Sequence, residues 1–216
     1  MTHLIRFIGD VHGRYRQYKK IIQGCDESIQ VGDMGVGFFG MRGGEIKPFS
    51  NPPYDSMAKG NHRFIRGNHD NPQACQNHHF WIPDGEVLYD KIYCLGGAVS
   101  VDRHFRTEGL DWWPDEELST SRLEVEVDVY KEVKPSVVVT HDCPDSIANE
   151  ILMVFRQEKI NDGSRTRQAL ESMFHFHQPK LWIFGHWHKT ISFTSGGTRF
   201  QCLGELEYLD IDIDQY

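Results

Sequence analysis

Apolar residues fall in short runs separated by polar and glycine-rich stretches, the rhythm of strands alternating with helices and loops. Leu4 to Ile8 is the first run and reads as a buried strand. Tyr15, Tyr18 and Ile22 follow at helical spacing and predict a helix from Arg14 to Gln23. Ser28 to Val31 and Arg63 to Ile65 predict two further strands. Residues 35 to 60 are rich in Gly, Pro, Asn and Ser and read as a long loop with little regular structure. Val87 to Tyr89 and Lys91 to Leu95 predict a strand pair, ended by Gly96-Gly97.

Residues 119 to 133 carry two signals. Leu123, Val125, Val127 and Val129 alternate as in a strand, whereas Ser119 as N-cap with Leu123, Val127 and Tyr130 on one face favours a helix. A helix is expected, because Pro135 and a strong strand, Val137 to Thr140, follow directly. A helix from Ser164 to Phe174 and a strand from Leu181 to Phe184 come next. Ile191 to Ile213 reads as antiparallel strands separated by Gly196-Gly197 and Gly204. The alternation predicts a layered α/β fold. Nothing resembles a linker, so residues 1–216 are expected to form a single domain.

Five apolar runs end in residues that ligate metals. They run into Gly9-Asp10-Val11-His12-Gly13, Gly32-Asp33, Arg66-Gly67-Asn68-His69-Asp70, His141 and Gly185-His186-Trp187-His188. In layered α/β sheets the carboxyl ends of parallel strands share one edge, where ligands bind. Asp10, His12, Asp33, Asn68, His141, His186 and His188 offer carboxylate, amide oxygen and imidazole, a set suited to Mn²⁺, Fe²⁺ or Zn²⁺. Seven ligands exceed what one ion takes and suffice for two if one carboxylate bridges, and paired ions suit phosphoryl chemistry. Each motif alone reads as a turn, a helix cap or an accidental chelate. Their joint occurrence, each after an apolar run, argues against accident.

These segments resemble the five motifs of the calcineurin-like metallophosphoesterases, and the resemblance spans residues 9 to 188. It implies a β-sandwich flanked by α-helices with a dinuclear metal site at one edge. Carried over by position, Asp10, His12, Asp33 and His188 would hold one ion, and Asp33, Asn68, His141 and His186 the other. Manganese is the expected metal, with iron, zinc or nickel as alternatives. The resemblance implies a hydroxide between the ions as nucleophile, His69 as proton donor to the leaving oxygen, and Arg66 as a phosphate-binding arginine.

The chain departs from the phosphoprotein phosphatase branch of that superfamily. Gly32-Asp33 is followed by Met34-Gly35-Val36-Gly37, so Val36 stands where that branch places the acid that orients the catalytic histidine. Asp70 is the expected substitute. Gly185-His186-Trp187-His188 keeps a second histidine that is general in phosphodiesterase-like members. Arg103, Arg106 and Trp112, in the segment from Ser100 to Glu117, are candidate substrate-binding residues, the arginines for a phosphate and the tryptophan for a base. The alternative is a surface loop packed by its tryptophans. Arg42 is a further candidate for the substrate.

Composition limits the partners. With 23 Lys+Arg against 31 Asp+Glu, the formal charge of -8 argues against extended nucleic-acid binding, which depends on neutralising phosphates. No apolar run is long enough to span a membrane, and the first residues lack a signal-peptide core. The five cysteines show no CxxC pair, which suggests reduced thiols and a cytoplasmic protein. The expected function is hydrolysis of a phosphoester, leaning to a phosphomonoesterase acting on a phosphorylated protein or nucleotide. The alternatives are a phosphodiesterase for cyclic nucleotides or nucleic-acid ends and, more remotely, a catalytically silent binding module.

Overall fold

A computed structural model describes residues 2–157 and 162–216, apart from the side chains of Met41 and Arg42. Arg42 as a substrate contact therefore lies outside the described residues. The elements in chain order are β1 (Leu4–Ile8), α1 (Tyr15–Ile22), β2 (Glu27–Gln30), β3 (Phe39–Arg42), β4 (Glu45–Pro48), α2 (Tyr54–Met57), β5 (Asn61–Phe64) and α3 (Pro72–Gln76). There follow β6 (Val87–Leu88), β7 (Ile92–Leu95), α4 (Thr120–Val133), β8 (Val137–Thr140), α5 (Asp145–Val154), α6 (Arg165–Phe176), β9 (Leu181–Phe184), β10 (Ile191–Ser195), β11 (Thr198–Cys202) and β12 (Tyr208–Asp212). Two sheets dominate, one ordered β12-β1-β2-β5 and the other β10-β11-β9-β8-β7-β6.

The period of two along each strand sorts side chains between layers. Val137 and Val139 of β8, with Ile183 of the neighbouring β9, face the other sheet and pack against its Ile5, Phe7 and Ile29 in a core between the sheets. Val138 points the other way, against Trp182, Leu123, Tyr130, Ile147 and Leu170, so α4, α5 and α6 cover that face. Ile8 and Phe64 meet Tyr15, Tyr18 and Ile22 of α1 on the outer face of the smaller sheet. The result is the expected sandwich with helices on both sides. Parallel strands covered on both faces read as continuous apolar runs, which is why β8 and β9 stood out in the sequence.

Strands β1, β2 and β5 are parallel, as are β7, β8, β9 and β11. Their carboxyl ends therefore open on one edge. The ambiguous segment is a helix: Ser119 Oγ accepts the Arg122 N–H at 3.3 Å, and Lys134 closes α4 in a left-handed conformation.

Three expectations need correction. Residues 35 to 60 hold the β3–β4 hairpin and α2, since Gly43 and Gly44 supply the positive φ of the turn. Helix α5 was not anticipated, although Ile147, Ala148, Ile151 and Leu152 form a helical apolar stripe. The last strands are not one antiparallel set. β11 runs parallel to β9, and β12 crosses to the smaller sheet to pair antiparallel with β1, Leu4 opposite Asp212.

Ser119→Ala should lower unfolding stability by about 1 kcal/mol, with Ser119→Asp restoring most of it, because the cap satisfies one orphan amide of α4. Urea unfolding of the three proteins measures this.

Candidate metal centre

The loops after the parallel strands are latched to one another by backbone hydrogen bonds. The N–H groups of Val11 and His12 both donate to Asp33 O, at 3.0 and 2.8 Å, and Gly185 N–H donates to His141 O at 3.0 Å. His12, Asp33, His186 and His188 all have positive φ, between 46° and 65°. Side-chain-bearing residues rarely hold this conformation, so four such residues at one edge mark stored strain at a functional site.

This backbone brings donor atoms together. One ligand atom from each of Asp10, His12, Asp33 and His188 lies within 4.8 Å of the others. His188 Nε2 is 3.3 Å from Asp10 Oδ2 and 3.0 Å from His12 Nε2. The second group adjoins it through Asp33. His141 Nε2 is 3.3 Å from Asp33 Oδ1 and 3.0 Å from Asn68 Oδ1, and His186 Nδ1 is 3.0 Å from the same amide oxygen. His141 Nδ1 lies 2.9 Å from Val31 O. A carbonyl only accepts, so Nδ1 carries the proton there and Nε2 faces the cluster. All seven predicted ligands thus converge.

The donor set fits divalent cations. Asp10 and Asp33 are 0% and 1% exposed, and buried carboxylates need compensating positive charge. Burial alone would raise Asp33, but His141, His69 and His12 hold its carboxyl well below the usual range. Burial would lower His141, yet the Asp33 carboxylate and its hydrogen bond push it up to about 10. Mixed carboxylate, imidazole and amide oxygen donors suit borderline ions. Glycine keeps the space open: a Cβ on Gly67 would overlap Asp33 Oδ1, and one on Gly32 would overlap His141 Nδ1.

His69 stands beside this cluster. Its backbone N–H donates to Asp33 Oδ1 at 2.7 Å, and its ring lies parallel to Phe38, centroids 4.9 Å apart. Its Nε2 is 2.9 Å from Arg106 Nη2. A guanidinium only donates, so Nε2 accepts and the ring is neutral. Burial first, then Arg106 and His12 against the pull of Asp33, bring His69 down to about 4. Arg106 is itself held by Asp102, Nε to Oδ1 at 2.6 Å and Nη2 to Oδ2 at 2.8 Å. Together Asp33, Asn68, His69, Arg106 and Trp187 line an open cavity of about 340 Å³. A larger groove of about 570 Å³ between α4 and α6 receives none of the predicted site residues.

Several assignments are corrected. Arg66 is 2% exposed and turned inward: Nε donates to Asp84 at 2.8 Å and Nη1 to the Glu116 carbonyl at 2.7 Å. It has no access to a phosphate in the cavity. Asp70 does not orient His69. Its carboxylate accepts the backbone N–H groups of Met34, Gly35, Val36 and Gly67 and so stitches the β2 and β5 loops together. Orientation of His69 falls to Phe38 and Arg106. Arg103 and Trp112 line a separate cavity of about 220 Å³ with Glu116 and Glu117, whereas Arg106 lines the cavity beside the Asp/His cluster.

The sequence reading missed Phe38, Asp102 and Glu205. Glu205 Oε1 lies 3.8 Å from His188 Nδ1 and 3.9 Å from His12 Nε2, and Oε2 pairs with Arg14 at 2.8 Å. No motif contains it, because it arrives on the turn before β12.

A family model of the calcineurin-like phosphoesterases matches residues 3–190. This chain belongs to that family. The family hydrolyses phosphoester bonds with divalent metal, in keeping with the clustered aspartates and histidines. Among solved structures, the protein TT1561 of Thermus thermophilus is similar over 100% of this chain and 96% of its own, with TM-score 0.57 and 13% identity. A conserved uncharacterized protein of Streptococcus pneumoniae, described as a predicted phosphoesterase, has TM-score 0.42 and 13% identity over 98% of this chain and 84% of its own. At 13% identity the likeness to TT1561 concerns the fold alone. We found no match among curated proteins. No helix among the described residues is long and apolar enough to cross a membrane.

Gly67→Ala should weaken divalent-cation binding, read with Mn²⁺, more than it lowers helix and strand content, since the new methyl group meets Asp33 Oδ1, the Asp33 backbone N and His141 Nε2 and enters none of the apolar cores. Calorimetric titration alongside far-UV circular dichroism measures both. Asp84→Ala should cost about 3–5 kcal/mol in urea unfolding, because it leaves the Arg66 charge buried and unpaired.

Proposed function

We propose that this chain is a two-metal phosphoester hydrolase that prefers phosphomonoesters, on a phosphorylated protein or nucleotide. The observation that carries the reading is the pair of ligand groups sharing Asp33, with Arg106 and His69 at their edge. Asp10, His12, Asp33 and His188 would hold one ion and Asp33, Asn68, His141 and His186 the other, with Mn²⁺ expected and Fe, Zn or Ni as alternatives. Bound there, the cations supply neutralisation of phosphoryl charge and a lowered pKa of water.

The chain's own residues do the rest. Arg106 offers a planar fork to phosphate oxygens, preset by the Asp102 clamp. It takes the role expected of Arg66. An arriving dianion draws the Arg106 hydrogen bond away from His69 Nε2, and its negative charge favours the protonated imidazole. His69 Nε2, once freed, takes up a proton from solvent and donates it to the leaving oxygen as the ester bond to phosphorus breaks, which returns the ring to its neutral form. Trp187 and Val101 line the same cavity and give it apolar surface. We place the enzyme in the cytoplasm, on the free thiols of all five cysteines.

Phosphodiester hydrolysis is the second reading, favoured by His188 within the ligand cluster. The test is hydrolysis of p-nitrophenyl phosphate against bis-p-nitrophenyl phosphate with Mn²⁺. A higher kcat/KM on the monoester is expected, and the reverse order would transfer the assignment to diesters. Mn²⁺ binding with neither ester cleaved would favour a silent binding module.

Arg106→Ala should raise KM for the monoester more than for the diester, because the dianion presents more charge and oxygens to the guanidinium. Equal losses would confine Arg106 to supporting the loop. His69→Ala should keep its metal yet lose about 100- to 10,000-fold in kcat on an alkyl phosphate, with a much smaller loss on p-nitrophenyl phosphate, whose phenolate leaves unprotonated. Equal loss on both would remove His69 from the acid role.

A further inference from the structure

A line of hydrogen bonds behind the metal centre reaches Asn68 from a glutamate that belongs to no metal motif. Asn68 Nδ2 donates to Ser100 Oγ at 3.0 Å. Ser100 Oγ donates to Glu116 Oε2 at 2.5 Å, and the Ser100 backbone N–H donates to Glu116 Oε1 at 2.9 Å. Asn68, Ser100 and Glu116 are 3%, 1% and 3% exposed, so bulk water does not compete for these bonds.

The direction of donation follows from the groups themselves. A carboxylate only accepts, and both its oxygens here face Ser100. The serine hydroxyl must give its one proton to Glu116, which leaves only lone pairs toward Asn68. The NH₂ end of an amide meets a lone pair and its oxygen does not. Asn68 Oδ1 is therefore turned the other way, to 3.0 Å from both His141 Nε2 and His186 Nδ1. The reversed amide would place NH₂ among the ligating nitrogens, where no cation accepts it.

We propose that Glu116 and Ser100 are positioning residues that lock the Asn68 amide with its oxygen toward the metal pocket; this rests on the two-metal reading above. Arg66 belongs to the same device. Its Nη1 donates to the carbonyls of Asp115 and Glu116 at 3.3 and 2.7 Å, and Asp84 holds its Nε. The arginine next to Gly67-Asn68 thus acts on the ligand through the peptide that carries Glu116. Gly97, at φ +84°, lets that peptide come close, since a Cβ there would press on Glu116 O and on the Arg66 guanidinium.

The test is titration of Mn²⁺ into the unaltered chain, Ser100→Ala and Glu116→Gln, by calorimetry. In Ser100→Ala one of two Mn²⁺ sites should weaken about 10- to 100-fold, the usual effect of losing a partner behind a metal ligand, while the other keeps its affinity. Glu116→Gln preserves volume and packing but can donate to Ser100, which releases the serine proton and permits the reversed amide. The same single site should weaken. Urea midpoints of the metal-free proteins, taken in parallel, separate folding from positioning. Unchanged affinity at both sites in Glu116→Gln, or equal weakening of both sites in step with lost stability, would overturn the inference while leaving the metal reading in place. No Mn²⁺ binding by the unaltered chain would overturn both.

Discussion

A carboxylate shut away from water stays ionised only if positive or hydrogen-bonding groups surround it. Asp33 meets that condition through groups delivered by widely separated segments. His141 Nε2, the His69 backbone N–H and the His12 ring all approach its oxygens, and its own carbonyl accepts from Val11 and His12. Its residue sits at φ 60°, a conformation that the surrounding bonds must sustain. The β1, β2, β5 and β8 loops are therefore fixed to one another at a single residue. A divalent cation on each side would complete the charge balance that the histidines supply in part.

The sandwich makes this arrangement affordable to the chain. Its two sheets bring seven parallel strands to one edge, and three apolar cores hold the layers at fixed spacing. The loops above carry the strain: positive φ at His12, Asp33, His186 and His188, and glycines whose extra methyl would collide with Asp33 or His141. Buried polar clusters brace them. Asp70 collects four backbone amides, and Glu116 with Ser100 and Arg66 braces Asn68 from behind. Removing a single buried partner would leave unpaired polar groups, so these clusters support one geometry and no other.

The clustering of the aspartates, Asn68 and the histidines was legible because each follows an apolar strand, and strand ends are the most local of signals. β8 and β9 were legible as short, fully buried runs of apolar residues, with Thr140 alone polar at the end of β8. What escaped depends on where side chains turn. Arg66 and Asp70 flank Asn68 and His69 in sequence, yet one points into a buried ion pair and the other into backbone amides. Phe38 stacks on His69 from a segment read as loop, and Glu205 arrives from before the last strand. Arg103 and Arg106 are three residues apart, and only Arg106 lines the cavity beside the Asp/His cluster. The course of β12 was hidden because strand pairing between distant segments leaves no local mark.

The most direct test of the account is Mn²⁺ binding to the unaltered chain, Asp33→Asn and His188→Ala, read as stoichiometry and affinity by calorimetry with metal analysis. A shared carboxylate serves both ions, whereas His188 serves one. The account predicts two ions per unaltered chain, loss of tight binding at both sites in Asp33→Asn, and weakening of one site in His188→Ala. Two tight sites surviving in Asp33→Asn, or a single ion in the unaltered chain under saturating Mn²⁺, would contradict it.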